Sequence, residues 1–98
     1  MSDTPAPGAD SNSVVLRVKS SSNANALAAA VSHAVYDGKD VSLRAIGAGA
    51  VNQAVKALAI AQSFVASRAI SLSFRAGFSE AKMPEGNVTA MVLKVLVD

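Results

Sequence analysis

The stretch Ile46-Gly47-Ala48-Gly49-Ala50-Val51-Asn52-Gln53-Ala54-Val55-Lys56-Ala57 is where the residue types of this chain come closest to chemistry. A strand that runs through two glycines into a helix start presents free backbone N–H groups and the positive end of the helix dipole, which suits a phosphate. Asn52 and Lys56 share a helical stripe with Ala59 and Ser63, so an amide and an ammonium can meet one anion in the first two turns. The pattern is not a dinucleotide fingerprint, because Asn52 stands where the third glycine belongs, and it is not a P-loop, because no Gly-Lys-Ser/Thr occurs. The plainer alternative is a tight strand-to-helix connection whose glycines allow close packing.

Little else points to reaction chemistry. There is no Cys and only one His, which excludes disulfides, Cys-bearing zinc sites, thiol catalysis and a multi-histidine metal site within one chain. His33 lies on an alanine-rich segment without an acid and a nucleophile to work with, and reads as structural or surface. Glu80 and Glu85 flank what reads as a loop, and Asn87-Val88-Thr89 is a sequon without a secretory context. The chain is expected to be non-enzymatic, with no metal, no cofactor and no small-molecule substrate.

Those residues need elements to hold them. The 98 residues are 51% hydrophobic and 16% charged, with four aromatics and no Trp, so a small core must form by close backbone approach. Residues 1–13, rich in Pro, Gly, Ser and Asp, read as a disordered leader, and residues 14–98 as one domain. Val14–Lys19, Val41–Ile46, Ile70–Arg75 and Val88–Val97 read as strands. A helix is expected over Ala24–Tyr36, capped from within Ser20–Asn23, and a second over about Val51–Ala66. Val51, Ala54, Val55, Leu58, Ala61 and Val65 form the apolar stripe of the second helix, while Gln53, Ile60 and Phe64 suggest a second patch and a dimer contact. Gly77–Gly86 reads as a long exposed loop, and the apolar fourth strand as central. The β-α-β-α-β-β order predicts an α/β two-layer sandwich: a four-stranded mixed sheet with two helices on one face and the other face open.

Period-two geometry then places Arg17, Lys19, Arg44, Arg75 and Lys94 on the open face, with no acid among the strand interiors there. From Val14 onward there are nine basic residues against five acidic ones, a net of +4. The same pattern fits a solvated face whose basic stems cover apolar surface and guard strand edges. Val92 and Leu96 share this face and could make it partly a subunit contact.

Lys19-Ser20-Ser21-Ser22-Asn23 and, above all, Ala45 through Ala61 resemble the stage V sporulation protein S (SpoVS) family, a likeness that extends over Val14–Val97. That family is related to Alba, a chromatin and RNA-binding protein. The resemblance implies an Alba-like fold, a dimer or higher assembly, a role in nucleic-acid binding and a link to the developmental programme of spore-forming bacteria. Lys19 matches the basic position at the end of the first strand where Alba-like proteins contact nucleic acid. Gly47, Gly49, Asn52, Gln53 and Lys56 match the family's own signature. Gln62 stands where relatives tend to have Arg, Val88 replaces the basic residue that often precedes Thr89, and the leader is additional.

Together these features imply a cytoplasmic regulator that binds DNA or RNA backbone as a homodimer and does not engage a membrane. Arg17, Lys19, Arg44, Lys56 and Arg75 would neutralise phosphates, while Gly47 and Gly49 admit backbone amides and Asn52 and Gln53 flank them. A protein-interaction or assembly module that has lost nucleic-acid binding is the alternative.

Overall fold

The computed structural model describes residues 12–98. The expected leader falls outside them except for its last two residues. Of these, Asn12 donates its side-chain amide to the Gly38 carbonyl, 2.9 Å, and Ser13 opens the first strand.

Strand β1 (Ser13–Val18) leads into helix α1 (Ala24–Tyr36), strand β2 (Asp40–Ala45) and helix α2 (Ala48–Val65). A short 3-10 turn (Ala66–Arg68) precedes the long strands β3 (Leu72–Met83) and β4 (Gly86–Val97). The sheet order is β1-β2-β4-β3, with β1 parallel to β2 and the other pairs antiparallel. The fourth strand is therefore central, and β1 and β3 are the edges.

Alanines set the layer spacing. Ala28 and Val31 of α1 and Ala54, Ala57 and Ala61 of α2 are completely buried, so the two helices pack with little side chain between them. Beneath them, Val41, Leu43, Ala45, Leu93 and Val95 supply the buried sheet face. Asn23 caps α1 by accepting from the Ala26 N–H, 2.9 Å. Tyr36 ties the far ends of the helices together: its hydroxyl donates to the Phe64 carbonyl, 3.3 Å, and its ring carries the Arg68 guanidinium at 4.0 Å.

Three expectations need correction. Helix α2 begins at Ala48 rather than near Val51, because Gly47 takes φ +93° and turns the chain directly into the helix. Val55 is 41% exposed, since the helices lie over β1 and β2 and leave the β3 side uncovered; Phe74 on that side is equally open. The expected loop Gly77–Gly86 is largely strand: Phe78, Ser79, Glu80 and Lys82 pair with Met91, Ala90, Thr89 and Asn87 in a two-stranded arm. A two-residue turn, Pro84-Glu85, closes that arm, and Gly86 at φ +127° makes the turn possible.

Candidate nucleic-acid interface

The basic residues of the open face stand in register. Arg17 pairs with Arg44, Arg44 with Val92 and Val92 with Gly77, forming one row across all four strands. The next row, two residues along each strand and so roughly 7 Å away, runs Val15, Ser42, Lys94 and Arg75. No described residue adds a carboxylate to either row.

At the carboxyl ends of β1 and β2 the face deepens into a cavity of about 630 Å³, lined by Arg17, Val18, Lys19, Ser20, Arg44, Ile46, Lys82 and Met83. Two parallel strands joined by a helix open their carboxyl ends to ligands because both following helices start there. Lys82 and Met83 belong to β3, the opposite edge from β1, so the arm must curl across the open face to share this cavity. Arg44 braces the curl: its guanidinium donates to the Glu80 carbonyl at 3.2 Å. Ala90, small and fully buried, lies in the intervening strand β4. No ion pair with a carboxylate engages Arg17, Lys19, Arg44 or Lys82 among the described residues.

The loop after β1 holds Lys19 in place. The Lys19 N–H donates to the Ser22 hydroxyl at 2.8 Å, and the Ser22 N–H donates back to the Lys19 carbonyl at 2.9 Å. Gln53 reaches over from α2 and donates its amide to the Ser22 carbonyl, 2.7 Å. Gly49 takes the other side of the loop: a Cβ there would stand 2.9 Å from the Cβ of Ser20. In this geometry Gly49 and Gln53 seat the loop that carries Lys19.

The nine sequence-derived site residues thus separate. Arg17, Lys19 and Arg44 meet in the cavity; Arg75 lies in the second row; Gly47, Gly49 and Gln53 shape the turn and the loop. Asn52 and Lys56 are exposed on α2, in the helical layer on the other side of the sheet. Lys82 was missed, because a residue in an expected loop has no face to be assigned to. Strand parity gave no signal for it either, since Lys82 falls with Phe74, Phe78 and Glu80 along β3 rather than with Arg75. Gln62, set in place of Arg, proves structural: it donates to the Ile70 carbonyl at 3.0 Å and accepts from the Leu72 N–H at 2.6 Å, fixing the start of β3.

A sandwich of two helices on a mixed β1-β2-β4-β3 sheet with a projecting hairpin is an Alba-like fold. It superposes on Alba from Thermoplasma volcanium with a TM-score of 0.59 at 11% sequence identity, covering 87% of this chain and 99% of that one. More specifically, the model of the stage V sporulation protein S (SpoVS) family matches residues 14–98, and the chain belongs to that family.

Proposed function

We propose that this protein is a non-enzymatic, nucleic-acid-binding regulator that works in the cytoplasm as a homodimer and grips the phosphate backbone of DNA or RNA. The observation that carries the reading is the cavity in which Arg17, Lys19, Arg44 and Lys82 converge with no neutralising carboxylate among the described residues. Four cations on a concave surface release counterions when a polyanion docks, and that release supplies sequence-independent affinity. Arg75 extends the contact along the second row. A strand that leaves the cavity past Gly47 and Gly49 meets the first turns of α2, where Asn52, Gln53 and Lys56 stand.

The homodimer has a surface to form on. Val55, Leu58, Ala59, Leu72 and Phe74 line a shallow apolar groove between α2 and β3, and Phe78 beyond it is 78% exposed. A second copy is a self-complementary way to cover such a face. Of the patches expected from sequence, Phe64 stays 43% exposed, while Ile60 packs against the core and Val92 and Leu96 are half-buried.

The same apolar groove favours the rival reading, an assembly module without nucleic acid. Fluorescence anisotropy with labelled DNA and RNA at low salt separates the two. The regulator reading expects binding that Arg17→Ala combined with Lys19→Ala weakens by at least tenfold. Oligomers that bind neither nucleic acid would establish the rival.

A further inference from the structure

Two features of the cavity go beyond backbone neutralisation. Its volume, about 630 Å³, falls in the range of pockets that take a small ligand, about 300–1,000 Å³. Its walls are also not uniformly charged. Ile46 and Met83, 43% and 44% exposed, stand on the rim with Val18 behind them, facing the same space as the four cations. A surface that reads only phosphates has no use for exposed aliphatic side chains, and water solvates them at a cost. A nucleotide combines the two chemistries found here, an anionic phosphate and a flat apolar base face.

We propose that the cavity holds one unpaired nucleotide, with its phosphate among Lys19, Arg17, Arg44 and Lys82 and its base against Ile46 and Met83. This deepens the nucleic-acid reading and rests on it. A base paired and stacked in a duplex cannot enter a pocket unless it is first flipped out, at the expense of stacking and pairing. Single strands present bases freely, so the protein prefers single-stranded nucleic acid to duplex. No aromatic side chain among the described residues lines the cavity, so the grip on the base is an aliphatic sandwich and carries little preference among bases. The Arg44 bond to the Glu80 carbonyl holds Met83 opposite Ile46 before the ligand arrives. Less ordering is then left for binding itself.

The test uses the full chain and a fluorescein-labelled oligonucleotide, single-stranded or annealed to its complement, over a salt series. Ile46→Ala and Met83→Ala remove exposed side chains, and their thermal melts report whether the fold survives. Each substitution is expected to weaken single-strand binding by about tenfold, the loss of a few buried CH₂ groups, with the salt slope and duplex affinity unchanged. Lys82→Ala is expected to lower the single-strand slope by about 0.7. Competition by adenosine monophosphate and by inorganic phosphate identifies the source. Displacement by the mononucleotide at concentrations where phosphate fails places the base in the cavity, whether the natural ligand is free or within a strand. Equal displacement by phosphate would overturn the proposal. So would equal affinity for single strand and duplex with both aliphatic variants silent, although the backbone-binding reading would survive that result. Absence of binding to either form would remove both.

Discussion

The helix-covered body and the projecting arm are built from the same alternating pattern, and they use it to opposite ends. In the body, the inward parity of the two central strands is sealed: Leu43 of β2 and Leu93 of β4 are at or below 2% exposure, because two helices press on them and burial decides those positions. Along the arm, Phe78 is exposed on the same parity as the exposed Glu80 and Lys82, because a two-stranded ribbon has no layer to pack against. Alternation in the body reports inside and outside, whereas in the arm it reports only which way a side chain leaves a strand. Stability is expected to reside in the first region and ligand contact at the seam between the two.

The largest contrast is energetic. Leu43→Ala is expected to cost about 3 kcal/mol, as the transfer and cavity terms combine in a close-packed core. Phe78→Ala, despite removing a larger side chain, is expected to stay within about 0.5 kcal/mol of wild type in the monomer. Urea unfolding measures both, and a large loss at Phe78 would show that the arm is part of the body.

The seam between helix and cavity offers a sharper probe. Gly49→Ala forces a Cβ against the Ser20 Cβ and is expected to destabilise by about 1–3 kcal/mol while displacing Lys19 and weakening nucleic-acid binding. Ser20→Ala retains the clashing carbon and should not rescue it, whereas Ser20→Gly should. Without coupling between the two positions in that cycle, the loop-seating role of Gly49 fails.

The α2–β3 groove tests which region makes the assembly. Phe74→Glu places a charge on the uncovered apolar face and is expected to convert the proposed dimer to a monomer in light scattering while leaving the fold intact. A smaller effect is expected at Ala69, the one described non-glycine residue with positive φ, +59°. Ala69→Gly should raise stability by a few tenths of a kcal/mol, up to about 1 kcal/mol, by relieving a left-handed alanine. A fall in melting temperature would contradict it.

The body was the more legible region for the same reason it is the more stable one. Helix α1 could be read to its last residue, because Asn23 supplies a cap and Ala28, Val31 and Val35 repeat at helical spacing against a core. The start of α2 could not be read, since one dihedral at Gly47 decides whether Ala48-Gly49-Ala50 is loop or helix. The arm was hidden because polar residues on both faces imitate a loop, and Lys82 was hidden with it. Arg17 and Arg44 were placed on the open face by parity alone, but their convergence with a residue from the opposite edge strand depends on how the arm curls. Gln62 gave no sign of its role, because its partners are backbone groups in an irregular connection. The resemblance carried by Ala45–Ala61 indicated the family, while the geometry supplied a reason for two of its residues: Gly49 and Gln53 hold the Lys19 loop.

The salt dependence of nucleic-acid binding tests the central claim most directly. Between about 50 and 200 mM salt, log affinity for an oligonucleotide should fall linearly with log salt, with a slope near −3 to −4 for about four phosphate contacts per protomer. Alanine at Arg17, Lys19, Arg44 and Lys82 should abolish most of that slope, whereas alanine at Lys39, which lies between α1 and β2 and outside the site, should leave it unchanged. A slope near zero, or one indifferent to the four cavity cations, would contradict the account.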